Sequence, residues 1–234
     1  MTKKLKLAQT LEDLKSCIIS CRLCQRLVDF RERSPSKKPF LNQAYWRKPV
    51  PGFGDPKAWL LITGLAPSAQ GGNRTGRIFT GDESGRFLFK ALYQEGLANQ
   101  PLSESIEDNL ELKGCYVTAA VKCVPPQNKP TNEEIKNCSI YYWNELYLLK
   151  NIKSVLALGR LGFDAFLKCA QSREINTRGI HFEHGKRVFF EGLPTLYGCY
   201  HPSPQNTNTG KLTEAMLIEI LKQIKSENLK SASA

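Results

Sequence analysis

Four short apolar runs constrain this chain more than any other feature. Lys57–Thr63, Cys115–Val121, Ser154–Leu158 and Pro194–Tyr200 are nearly continuous in apolar residues. Runs of that length read as strands buried on both faces rather than half-wetted ones. Helical patterns stand between them. Leu7, Leu11, Leu14 and Ile18 share one face over residues 5–20. Thr80-x-x-Glu83 and Thr131-x-x-Glu134 are capping boxes that open helices to about Leu97 and Lys150. Leu161–Ala170 and residues 210–226 read as two more helices, the last through Leu212, Met216, Leu217, Ile220, Leu221 and Ile224. Residues 31–57, with five prolines, read as loop, and Ile180–Phe190 alternates around Glu183-His-Gly185 like a hairpin. Alternation of this kind predicts an α/β fold: a single domain with a mostly parallel four-stranded central sheet and helices on both faces. The domain is expected over residues 1–226, with 227–234 as a flexible tail.

Charge narrows the partners. Lys+Arg number 33 against 22 Asp+Glu, a formal net charge of +11. That balance favours a polyanion, nucleic acid ahead of a membrane surface, although a merely basic surface is the competing explanation. No apolar run approaches the length of a membrane span, and the basic N-terminus lacks an apolar leader core. The chain is therefore expected in the cytoplasm, off the membrane. No heptad pattern suggests a coiled-coil dimer, so a monomer is expected.

In α/β sheets ligands bind beyond the carboxyl ends of the strands. Three polar, Gly- or Pro-rich segments fall there: Gly64 to Asp82, Lys122-Cys-Val-Pro-Pro126, and His201-Pro-Ser-Pro-Gln-Asn206. The first is not a phosphate-binding P-loop, because no Gly-Lys-Ser/Thr follows. Cysteines add a second constraint. Of eight, Cys21 and Cys24 form a C-x-x-C, Cys123 leaves a strand, and Cys138 follows after fourteen residues. Four such thiolates suit either a zinc ion or an iron–sulfur cluster; buried inert thiols are the plain alternative. Cys17, one helical turn before Cys21, competes as a ligand, while Cys115, Cys169 and Cys199 read as core.

Taken together, these segments resemble a family 5 (B-type) uracil-DNA glycosylase. Gly64-Leu-Ala-Pro67 through Gly72-Asn-Arg-Thr-Gly-Arg-Ile-Phe-Thr-Gly-Asp82 is similar to that family's first motif, and His201-Pro-Ser-Pro-Gln-Asn206 with Thr209-Gly-Lys-Leu212 to its second. The cysteine set matches the family's four 4Fe-4S ligands at Cys21, Cys24, Cys123 and Cys138. The likeness spans about residues 15–222. Family 4 places an acidic residue directly after the first Gly, where this chain has Leu65.

The resemblance implies a monofunctional glycosylase. Such an enzyme everts a deaminated base from DNA and hydrolyses its N-glycosidic bond. The sugar carbon becomes oxocarbenium-like while the base departs as an anion. Phe79 is the expected stacking surface, with a core phenylalanine as the alternative. His201 is the expected neutral donor to the departing anion. Asp82, in the first turn of the helix it opens, suits stabilisation of the sugar cation or orientation of water; plain helix-terminus stabilisation explains it equally well. Asn73 is the alternative polar contributor. Gly64, Leu65 and Ala66 line the expected base site, where apolar Leu65 and Ala66 offer no water-activating side chain. Many relatives carry an Asn before the third cysteine. This chain has Ala119 and Ala120, so Thr118 or backbone amides must read the base, and choice among uracil and other deaminated bases such as hypoxanthine should loosen. Pro202, Ser203, Gln205 and Asn206 are expected in the loop that enters the duplex, with Arg74, Arg77, Lys122 and Lys211 on phosphates. His181 and His184 carry no expected role. The cluster is expected to be structural. A non-catalytic, metal-stabilised lesion binder and a zinc-ribbon-like module are the competing readings.

Overall fold

A computed structural model describes residues 8–171 and 174–230. The elements run α1 (Leu11–Ile19), α2 (Gln25–Arg33), β1 (Phe53–Gly54), β2 (Leu60–Gly64), α3 (Gly72–Thr75), α4 (Glu83–Gln94), β3 (Cys115–Ala119), α5 (Asn132–Leu148), β4 (Ser154–Leu158), α6 (Arg160–Gln171), β5 (Arg187–Val188), β6 (Thr195–Cys199), α7 (Pro204–Thr207) and α8 (Glu214–Lys230). The four expected strands form the parallel centre of the sheet, in the order β3-β2-β4-β6. Two antiparallel edges were not expected: β1 on β3 and β5 on β6. Each is two residues long, which blunts the exposed edges.

Alternate residues of each strand point to opposite faces, and each face has its own core. Leu60, Ile62, Val117, Leu156 and Tyr197 pack with α4 and α8; Leu61, Tyr116, Val155 and Leu196 pack with α5 and α6. Helix α1 lies outside, with Leu14 and Ile18 against Tyr141 of α5. Among the described residues no helix is long and apolar enough to cross a membrane.

Several boundaries differ from the pattern-based expectation. Helix α1 starts at a capping box on Thr10 and Asp13, and the expected contribution of Leu7 lies outside the described residues. Helix α2 fell partly in the expected 31–57 loop; it buries only Leu27, Val28 and Arg31, too short a stripe to read as periodic. The 180–190 segment is not a hairpin in itself: only Arg187–Val188 is strand, and it pairs with Leu196 and Tyr197. Helix α4 is capped by Asp82, not Thr80, because the Thr80 hydroxyl is taken by Arg77 and Ser103. The last helix continues past residue 226. There Arg187 pairs with Glu227, and the Asn228 amide reaches the Ser154 hydroxyl. Residues 231–234 of the expected tail lie outside the described residues.

Candidate active site at the switch point of the sheet

From β2 the chain crosses to β3 on one side; from β4 it crosses to β6 on the other. The carboxyl ends of β2 and β4 therefore open a switch-point crevice, the place where open α/β sheets bind ligands. Two glycines make room there. A Cβ on Gly64, the last residue of β2, would lie 2.9 Å from Phe79 Cζ. A Cβ on Gly159, just past β4, would lie 2.9 Å from His201 Cβ. The Phe79 and His201 rings meet past these strand ends, with centroids 6.1 Å apart and planes tilted by 35°, and Phe79 is only 7% exposed. Residues 122 positions apart in the chain meet because β2, β4 and β6 are adjacent in the sheet.

Phe79 holds a left-handed backbone, φ 53°, which costs an L-residue roughly 1–2 kcal/mol. The surroundings over-determine it. Gly85 leaves space for the Phe79 carbonyl, which a Cβ would approach to 1.9 Å. Arg77 is 7% exposed and bonds Thr80, Ser103 and Asp108, locking the loop to the 103–108 segment. Arg74 stacks on Phe40 and donates to the Gly81 and Gln70 carbonyls. These two arginines brace the loop and are not the phosphate contacts expected of them.

Asp82 is the N-cap of α4, one position before the first turn. Its Oδ1 accepts the Gly85 N–H at 2.9 Å and its Oδ2 the Ser68 hydroxyl at 2.5 Å. Its charge acts on His201. Burial lowers the proton affinity of that imidazole below the usual value and the Asp82 carboxylate only partly restores it, so the ring is held neutral. Behind it, His184 Nδ1 accepts the Tyr200 N–H and its ring stacks on Tyr200 at 4.7 Å. That support was missed, because nothing in the local pattern around His184 points to a residue sixteen positions away. Asn206 Nδ2 donates to the His201 carbonyl at 2.8 Å. It braces the loop, while Gln205 of α7 is exposed and Ser203 half-buried beside it. Lys211 lies exposed, its Nζ 4.9 Å from the Tyr200 ring. Leu65 and Ala66 pack their side chains away against the core around Leu27 and Ala165. Neither of their N–H groups has an acceptor among the described residues.

Three expected contributors are placed elsewhere. Thr118 lies on the opposite face of β3 from Val117 and Ala119, which pack in the core that holds Phe79. Its hydroxyl donates to Glu145 and accepts from Lys122 Nζ at 2.7 Å. Lys122 is itself buried, ion-paired with Glu145 at 2.7 Å and bonded to the Ala119 carbonyl, so its ammonium is not free for a phosphate. Asn73 is 1% exposed, and its Nδ2 donates to the Arg31 carbonyl at 3.2 Å, so it braces α2 rather than activating water.

Cys21, Cys24, Cys123 and Cys138 line one cavity with Leu27, Arg31 and Tyr141. The junction of α1 and α2 supplies two thiols, the exit of β3 one and α5 one. Cys17 is exposed, whereas Cys115 and Cys199 are buried in the core; the Cys169 side chain lies outside the described residues. Among the described residues no group of three or more His, Cys, Asp or Glu side chains is arranged to hold a single metal ion. Burial raises the proton affinity of Cys24 and Cys138 and pushes Cys123 up to about 11; such thiols ionise only beside added positive charge. The surroundings nevertheless suit an anionic centre. Arg31, 2% exposed, points Nη1 at Cys123 Sγ at 3.0 Å. Among the described residues its nearest paired carboxylate, on Glu32, is 3.8 Å away, and its Nε has no partner. A buried guanidinium left so poorly paired calls for negative charge in the cavity. Asn137 adds a donor to Cys24 Sγ at 3.5 Å.

The fold and site define a doubly wound α/β protein whose switch-point crevice pairs an aromatic face with a neutral imidazole. Comparison with known proteins gives the same class. Residues 51–225 match the model of the uracil DNA glycosylase superfamily. Over 211 residues the chain is 46% identical to the type-5 uracil-DNA glycosylase of Thermus thermophilus, covering 89% of this chain and 94% of that one. It is 43% identical to the type-5 uracil-DNA glycosylase of Pyrobaculum aerophilum, with 91% of each covered. A type-4 uracil-DNA glycosylase of Sulfurisphaera tokodaii matches at 31% identity over 64% of this chain. The chain belongs to the uracil DNA glycosylase superfamily of DNA N-glycosylases, with the type-5 members.

Proposed function

We propose that this enzyme is a monofunctional glycosylase that everts uracil from DNA and hydrolyses its bond to the sugar. The facing of Phe79 and His201 at 6.1 Å carries the reading. Two van der Waals contacts need about 7 Å, so a base does not fit as a sandwich between the rings. It stacks on Phe79 and meets His201 edge-on, where a neutral N–H donates to the oxygen of the departing anion. The Leu65 and Ala66 N–H groups supply further donors. A water oxygen bonds to the sugar carbon as the carbon–nitrogen bond breaks, and one water proton ends on the base. Asp82 sits where an ionised carboxylate steadies the oxocarbenium-like sugar or orients that water. With Thr118 facing away, the base edge is read by backbone groups, which favours tolerance of hypoxanthine.

Cys21, Cys24, Cys123 and Cys138 would hold a 4Fe-4S cluster, whose contribution is to cross-link the α1–α2 junction, the β3 exit and α5. Exposed Lys211 and Gln205, with half-buried Ser203, are the proposed contacts to the DNA strand, bound by a monomer.

Release of free base from uracil-containing oligonucleotides tests the reading. Wild type releases uracil, and His201→Ala loses about 100- to 1,000-fold in single-turnover rate, the usual cost of an oxyanion donor. Selective binding of uracil-containing DNA with no release favours the non-catalytic lesion binder instead, motivated by apolar Leu65 and Ala66. Strict selectivity for uracil over hypoxanthine removes the proposed tolerance.

A further inference from the structure

Asn73 lies in the first motif but outside the chemistry, buried, with its Oδ1 lacking a partner among the described residues. An apolar residue would avoid that orphan acceptor, so the Nδ2 donor is what an asparagine supplies here. The donor reaches the Arg31 carbonyl at 3.2 Å. Arg31 in turn donates to Cys123 Sγ at 3.0 Å and to the Cys21 carbonyl at 3.2 Å. On its other side, the Asn73 N–H donates to the Ser68 carbonyl at 3.0 Å. The Ser68 hydroxyl accepts the Gly71 N–H at 3.0 Å and donates to Asp82 Oδ2 at 2.5 Å. Hydrogen bonds made by different groups of Arg31, Asn73 and Ser68 thus link two of the cavity cysteines to the carboxylate beside His201. Gly71 makes the room this needs: a Cβ there would sit 2.1 Å from Asp82 Oδ2 and 2.4 Å from the Ser68 hydroxyl. The bonds therefore fix one orientation of that carboxylate.

We propose that Arg31 and Asn73 are positioning residues that couple the cysteine-ringed cavity to the orientation of Asp82. The activity readout rests on the glycosylase reading; amide exchange and cluster spectroscopy do not. Neither residue touches substrate. Their effect passes through the 68–82 loop, so it must vanish when Asp82 is removed.

The test uses cluster-loaded protein with Asn73→Ala, Arg31→Met, Asp82→Ala and the Asn73→Ala/Asp82→Ala double variant. Asn73→Ala keeps the cluster's visible absorption, speeds hydrogen exchange at the amides of residues 71–76, and lowers single-turnover release about 10- to 100-fold, as a misplaced catalytic group does. In the Asp82→Ala background it has no further effect on rate. Arg31→Met alters the cluster's reduction potential and speeds the same amides; if it fails to fold, Arg31→Lys, which keeps the charge but loses the fork, gives the same pair of changes. Unchanged exchange and rate in Asn73→Ala overturn the proposal. So does a rate loss that adds to that of Asp82→Ala. If wild type releases no base, the glycosylase reading fails, while the exchange comparison still decides the coupling.

Discussion

Asp82 serves two physical ends at once, and substitutions separate them. As an N-cap it satisfies the Gly85 N–H, a contribution worth about 0.5–2 kcal/mol that Asn can also make. Asp82→Asn should therefore keep the denaturation midpoint near wild type while losing base release, whereas Asp82→Ala loses both. Equal activity in Asp82→Asn and wild type would restrict Asp82 to capping. His201 carries a pH signature. Its folded-state proton affinity lies below the ordinary 6.5 because burial outweighs the pull of Asp82. As the pH falls through about 6.5 the unfolded chain binds the proton first. Stability therefore declines from there down to the folded-state value and levels off below it. His201→Gln should flatten part of that slope in denaturant midpoints measured across the window; His184, also lowered by burial, retains its share.

At the scale of elements, β3 and α5 are joined by a buried ion pair rather than by apolar packing alone. Lys122 and Glu145 are each 1% exposed in their side chains, and Thr118, the Ala119 carbonyl and the Gly52 N–H complete the set. Removing one partner should cost about 3–5 kcal/mol, and replacing both with apolar residues of similar volume should recover most of it. Chemical denaturation of Lys122→Met, Glu145→Leu and the pair tests this; independent, additive losses would refute it. The same elements show what local pattern carries. The Thr131 capping box was legible and is present, the side chains of Thr131 and Glu134 each bonding the other's N–H. The Thr80 box was equally good as a pattern but is not used. Thr80 and Asp82 stand two residues apart, and the fixed turn at Phe79 and Gly81 selects between them.

Over the whole molecule, the proposed contacts to the DNA strand draw on an excess of eleven positive charges. Phosphate contacts release counterions, so affinity should fall log-linearly with salt, with a slope of about −0.9 per phosphate neutralised on duplex. Lys211→Ala should make the slope shallower by about one unit. Arg74→Ala should instead lower stability, since Arg74 is an internal brace. A salt-independent affinity would exclude backbone binding as the source of the attraction.

Chemistry-bearing segments were readable in the chain itself. Buried strands must be apolar and ligands gather past their ends, so Gly64–Asp82 and His201–Asn206 stood out, as did the cysteine spacing. Sequence could not say which polar side chains remain available. Thr118, Lys122, Arg74, Arg77 and Asn73 each bear a group suited to substrate or DNA, yet each is bonded to a partner distant in sequence. Hydrogen-bond partners come from strand order and helix placement. Only the assembled sheet, with β2 beside β4 and β4 beside β6, brings Phe79 to His201 and leaves Asp82 pinned next to them.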